Sequence, residues 1–188
     1  MSVPREPQDA KLIVGLLFRE VDVQMKTLIS LNEQFGPVDF LTEPKFFDYT
    51  NYYQKEMGPT LYRQTASFEK LMKPELLPDI KLFTNQLEKR LAQDHCRRVN
   101  IDPGFLTEER LVLATGKNYT HRIYLRDGIF ADLTLIYQKG SYRVLPWTYP
   151  DYRRPDLLHF LGVLRQKLRY QRTQRLPRSA PREQGDFP

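Results

Sequence analysis

The chain is short of the residues from which most recognisable sites are built: its 188 residues include one cysteine, three histidines and nine glycines. A single thiol excludes an internal disulfide and a cysteine-based zinc cluster. Cys96, in "DHCRR", has Arg97 and Arg98 beside it, which can lower a thiol pKa; a reactive thiol stands against the plainer reading of an incidental cysteine at a helix end. His95, His121 and His159 are far apart and none pairs at metal-ligand spacing, so no metal site is expected. The glycines form neither G-x-G-x-x-G nor G-x-S-x-G. "LVLATGKN" has Gly116-Lys117, but Leu111 stands where a P-loop needs its first glycine and Asn118 where it needs a hydroxyl, and strands are expected on both sides. No apolar run approaches the roughly 18 residues of a membrane helix. The N-terminal "MSVPREPQDAKL" lacks the apolar centre of a signal peptide, and a cytoplasmic protein is expected.

What is present suits a globular body: 40% apolar and 12% aromatic residues, in a length that fits one domain with a real core. The net charge of +6 is uneven. From residue 165 onward, seven basic residues (Arg165, Lys167, Arg169, Arg172, Arg175, Arg178, Arg182) meet only Glu183 and Asp186. The basic character therefore belongs to the end of the chain. The reading is a flexible N-terminus over 1–10, one domain over 11–171 and a basic, disordered tail over 172–188.

"KLIVGLLF" (11–18) is apolar on both parities, the pattern of a strand covered on both faces. Asp22 can cap a helix carrying Met25, Leu28, Leu31 and Phe35 on one side, with Gly36 and Pro37 as its stop. "VDFLT" and "LYRQTASF" (61–68) read as strands around a polar, tyrosine-rich connection. Pro78 opens a second helix with Ile80, Phe83, Leu87 and Leu91 inward, and its Lys81, Asn85 and Glu88 read as a solvated face. "RRVNI" then places Val99 and Ile101 on one side and Arg98 and Asn100 on the other. Strand, helix, strand, strand, helix, strand is the ferredoxin-like βαββαβ order. Four short strands follow, with hairpin signals at Asp127-Gly128 and Lys139-Gly140. A helix from Pro155, striped by Leu157, Leu161, Leu164 and Leu168, closes the chain. The fold class is thus α/β (α+β): a ferredoxin-like front half, an antiparallel β-meander and a C-terminal helix.

Polar residues set among apolar strands mark a candidate site. "GKNYTHRIYL" gathers Lys117, His121, Arg122 and Tyr124, and Asp132 lies opposite the Thr120, Arg122, Tyr124 strand across the Asp127-Gly128 hairpin. On a strand, His121 and Arg122 point oppositely unless the strand starts late. Asp102, read as exposed by a turn at Pro103-Gly104, either completes the site or makes only an Asx-turn. The ligand-binding candidates are Arg98, Asn100, Asp102, Lys117, Arg122, Tyr124 and Asp151, with His121 and Asp102 as candidates for proton transfer. Tyr52, Tyr53 and Glu56 either line a cleft or close a lid over the core. Trp147, in "WTYPDYRRP", either packs over the sheet or offers a stacking platform.

The blocks "KLIVGLL", "FGPVDF", "YYQKEMG", "RRVNIDPGFL", "LATGKNYTHRIYLRDGIFADLTL" and "WTYPDY" together resemble, in this order, the bacterial family catalogued as domain of unknown function 4416. The likeness covers residues 8 to 171 and implies no activity or catalytic residue. A GTP-binding label sometimes attached to such proteins gains no support here, since neither a P-loop nor an Asn-Lys-x-Asp motif is present. Two functions are expected from the residues themselves. The first is binding, with or without processing, of a small anionic ligand such as a nucleotide or phosphorylated metabolite. The second is an interaction module that takes RNA or an acidic protein through Arg165–Arg182 and the Trp147 loop.

Overall fold

The most apolar segment becomes the centre of the sheet. In the computed structural model, which describes residues 1–176, β1 (Ala10–Phe18) is buried at all nine positions. After it come α1 (Val21–Phe35), β2 (Val38–Leu41), β3 (Lys45–Phe47), α2 (Gln54–Met57), β4 (Leu61–Met72) and α3 (Leu77–Leu91). The second half holds β5 (Val99–Leu106), β6 (Arg110–Thr115), β7 (Arg122–Arg126), β8 (Ile129–Gln138), β9 (Ser141–Val144) and α4 (Pro155–Thr173). The sheet runs β2-β4-β1-β5-β6-β8-β7, with β3 on β4 and β9 on β8, and every pairing is antiparallel. In β2-β4-β1-β5, each helical connection steps over an inserted strand, which is the ferredoxin-like arrangement; β6 to β9 extend it.

Alternation along β1 separates two cores. Leu12, Val14, Leu16 and Phe18 face α1 and α3, together with Val99, Ile101, Leu31 and Leu87. On the other face, Ile13 meets Leu161 and Leu164 of α4, while Leu17 meets Phe47, Met57 and Leu61. Between these two coverings β1 carries Gly15. The hairpin signals hold: Asp127 and Gly128 have φ of 53° and 75°, and Lys139 and Gly140 have 49° and 82°, the paired positive values of a type I′ turn.

Four local expectations are corrected. The helix α1 starts two residues early, with Glu20 at the N-cap position and no side-chain cap, so Asp22 lies in its first turn. Met25 points to solvent, because the buried face runs through Val23, Thr27, Leu31 and Phe35. The tyrosine-rich connection is structured, supplying β3 and α2. Asp102-Pro103-Gly104 is not a turn. β5 continues through it, paired with β1 from Val99 to Leu106, while its ladder with β6 begins only at Gly104. Pro103, lacking an N–H, is tolerated where one side of the strand has no neighbour. Gly104 is required by close approach: a Cβ there would lie 2.6 Å from the Val112 carbonyl oxygen.

The basic residues of α4 are less free than their charge suggests. α4 runs to Thr173, and Glu108 gathers Arg165, Arg169 and Arg172, while Lys167 joins Lys11 on Asp39. Arg172 therefore belongs to the domain. From Pro177 the expected tail lies outside the described residues.

Candidate functional site

β5 and β6 part beyond Gly104 and Leu113, and the split opens a cavity of about 570 Å³, ordinary for a small-molecule site. The register of the sheet fills it with charge. Asp102 lies opposite Gly15, Asn100 opposite Leu17, Arg63 opposite Leu17 from the other side, and Asp132 opposite Leu113. All four point to the α4 face.

Arg63 organises the interior. Its Nη1 donates to Asp102 Oδ2 at 2.8 Å, its Nη2 to the Tyr152 hydroxyl at 3.0 Å, and its Nε lies 3.2 Å from Asp151 Oδ2. Gly15 makes room, since a Cβ there would stand 2.6 Å from Nη2. Asp102 Oδ2 also accepts from Asn100 Nδ2 at 2.9 Å. Burial alone would raise the Asp102 carboxyl, but the charges of Arg63 and Lys81 and these hydrogen bonds hold it below the usual carboxylate range. Asp151 goes the other way: burial pushes its carboxyl up against the pull of Arg63, and the Asp102 charge adds to the rise. Two acids on one guanidinium are thus set apart in acidity.

The unpaired edge of β5 is satisfied from α3. Lys81 Nζ donates to the Ile101 carbonyl at 2.7 Å and Glu88 Oε1 accepts from the Ile101 N–H at 2.7 Å, the two bonds a neighbouring strand would make. Lys81 and Glu88 are both buried, and with Asn85 they line the cavity. The solvated face expected for these three is corrected: because β6 has swung away, the cavity needs a wall there and α3 supplies it. Burial raises the Glu88 carboxyl despite Lys81 and the Ile101 bond.

At the mouth, Lys117 Nζ donates to the Tyr52 hydroxyl at 3.0 Å and sits 4.5 Å from that ring's centroid. Tyr52 and Tyr53 line the cavity, as the cleft reading had it, and Glu56 fixes Arg97 through bonds of 2.7 to 3.2 Å. Across the mouth, Arg122 is held by Asp132 at 2.9 Å, the Lys117 carbonyl at 2.9 Å and the Tyr149 hydroxyl at 2.9 Å.

Residues 8–168 match the family model described as a domain of unknown function (DUF4416). The chain belongs to that family. No curated protein and no solved structure matches it.

In this DUF4416 domain, Asn100, Asp102, Lys117, Arg122 and Asp151 share the cavity wall. Arg98 does not. It precedes β5, so the strand's alternation does not reach it, and it pairs with Glu20 and Asp22 while Arg97 lines the cavity. Tyr124 also lies elsewhere, exposed on the edge strand against Phe130. His121 comes before β7, which starts at Arg122, so both side chains reach Asp132 Oδ2, at 3.2 and 2.9 Å. Its ring is stacked on Trp147 at 4.9 Å and is not in the cavity wall; its Nδ1 is buried without a partner among the described residues. Trp147 donates its indole N–H to the Leu133 carbonyl at 2.7 Å and covers His121, so it packs over the sheet while staying partly exposed. Arg63 was missed, although a lone arginine inside "LYRQTASF", an otherwise strand-forming run, is a signal for it.

Proposed function

We propose that this domain binds a small anionic ligand, a nucleotide or a phosphorylated metabolite, in the cavity between β5 and β6. The observation that carries this is an imbalance of partners. Each arginine in the wall, Arg63, Arg97 and Arg122, is tied to a carboxylate, whereas Lys81 and Lys117 line the same cavity with no carboxylate within ion-pair distance among the described residues. Lys117, exposed and held only by a tyrosine, lacks a counter-ion, which a phosphate supplies. Tyr52 and Tyr149, both exposed beside it, offer rings to a planar ligand. The proposed setting is the bacterial cytoplasm, where an exposed free thiol such as Cys96 stays reduced.

A thermal-shift titration with nucleoside mono-, di- and triphosphates and phosphorylated sugars tests the reading. At a hundredfold excess over Kd, a true ligand raises the midpoint by about 7 °C, and Lys117→Met loses most of that rise. No compound moving the wild-type midpoint would count against it.

A further inference from the structure

Lys81 and Lys117 are unlike each other. Lys117 sits at the rim without a nearby acid. Lys81 is buried at the wall, and the fields of Glu88 and Asp102 both act with it: its charge helps keep each of those carboxyls down. What Lys81 lacks is therefore acceptors rather than a counter-ion. An ammonium carries three N–H groups, and only one, to Ile101, has a partner among the described residues.

Asp102 shows the complementary vacancy. Its Oδ2 takes both hydrogen bonds, from Arg63 and Asn100, and its Oδ1 takes none among the described residues. Lys81 and Asp102 make no ion pair with each other, though the lysine bonds the carbonyl immediately before the aspartate and both line the cavity. A donor-only group and an acceptor-only group thus stand near each other with open valences. Both groups are open to the cavity, the Asp102 side chain keeping 28% of its exposure, so a ligand can reach them. One oxygen that accepts from an ammonium and donates to a carboxylate fills both: a hydroxyl.

We infer that Lys81 and Asp102 form a hydroxyl-recognising subsite at the inner wall, so that the ligand class is a phosphorylated polyol or sugar, including the sugar of a nucleotide. This rests on the anion-binding reading above. Lys117 holds the anionic end at the mouth and the hydroxylated body reaches inward, with Arg63 and Asn100 keeping Asp102 turned toward it. Asp102 and Lys81 here are recognition groups, and no bond is made or broken.

Calorimetric titration with three probes separates the two ideas: inorganic phosphate, n-pentyl phosphate and ribose 5-phosphate. The two esters share charge and carbon count and differ in hydroxyls. Ribose 5-phosphate should bind at least on the order of tenfold tighter than pentyl phosphate. Lys81→Met and Asp102→Asn should each bring the two esters to within about threefold of each other, whereas Lys117→Met should weaken both esters alike and keep their ratio. Equal affinities of the two esters for wild type would overturn the subsite and leave anion binding standing. Failure of all three probes to bind would overturn both. The wild-type comparison decides even if a variant does not fold.

Discussion

The guanidinium of Arg63 lies across Gly15, in a space that any side chain at position 15 would occupy. A Cβ would meet Nη2 at 2.6 Å, Cζ at 2.9 Å and the Tyr152 hydroxyl at 3.1 Å. The nine-residue buried strand β1 thus carries a glycine so that Arg63 of β4 can cross it to reach Asp102 of β5 and also pair with Asp151.

Gly15→Ala should destabilise the domain by about 1–3 kcal/mol, the cost of forcing extra volume into a filled interior. The arginine cannot simply move aside, because three partners hold it. A lower urea midpoint with an unchanged denaturant slope checks this. An unmoved midpoint would mean that Arg63 has room the structure does not show.

The two acids on Arg63 should give stability opposite dependences on pH. Asp102 is held low in the folded state, so its contribution is present above the unfolded carboxylate pKa and is lost as pH falls through the folded value. Asp151 is raised, so its contribution is full below the unfolded pKa and is lost as pH rises through the folded one. Wild type should therefore gain on Asp102→Asn as pH rises through the acid range below about 4. It should lose ground to Asp151→Asn as pH rises above that value. Urea unfolding of the three proteins from pH 3 to 7, at about one-unit steps, reads both slopes; slopes of the same sign would refute the assignment.

Lys11 is a structural counterpart to the site's cations. Fully buried, it spends its three N–H groups on Asp39 at 2.6 Å, the Phe68 carbonyl at 2.8 Å and Gln171 at 3.3 Å, tying β1 to β2, β4 and α4. Lys11→Met should cost about 3 kcal/mol, the lower end for breaking a buried pair, because Lys167 still reaches Asp39 at 2.7 Å. Lys167→Met should cost under about 1 kcal/mol, its side chain being partly exposed. Equal losses would show that Asp39 needs only one of the two lysines.

The order of the main elements, though not β3 and α2, was readable because it is local: the run of β1, the stripe of Leu161, Leu164 and Leu168, and the Asp-Gly turn each declare themselves within a few residues. The site was half readable. Asn100 and Asp102 share a face by strand alternation, and Arg122 faces Asp132 by hairpin register, both short-range facts. The split between β5 and β6 is not local. It depends on β6 leaving β5 to follow β8, which decides at once that Asp102-Pro103-Gly104 stays a strand, that Lys81 and Glu88 face a cavity rather than water, and that Arg97 rather than Arg98 joins it. A helix with Lys81, Asn85 and Glu88 at one spacing looks the same in sequence whether it borders solvent or a cleft.

The split itself can be tested at the residue that borders it. Gly104 is the first position of β5 to pair with β6, opposite Leu113 at the edge of the split, and a Cβ there would lie 2.6 Å from both Leu113 Cδ2 and the Val112 carbonyl oxygen. One of those atoms belongs to the backbone and cannot rotate away, so Gly104→Ala must push β6 outward. The cost should exceed that of Gly15→Ala, at about 3 kcal/mol or more. The loss should also reach the cavity, because Leu113 to Lys117 form its wall immediately beyond. If the variant folds, hydrogen exchange should speed up at the β5–β6 ladder, Gly104 to Leu106, while the β1–β4 ladder stays protected. Unchanged protection at Phe105 and Leu106 would show that β6 tolerates the methyl without moving, and the close approach would then not be what places the mouth of the cavity.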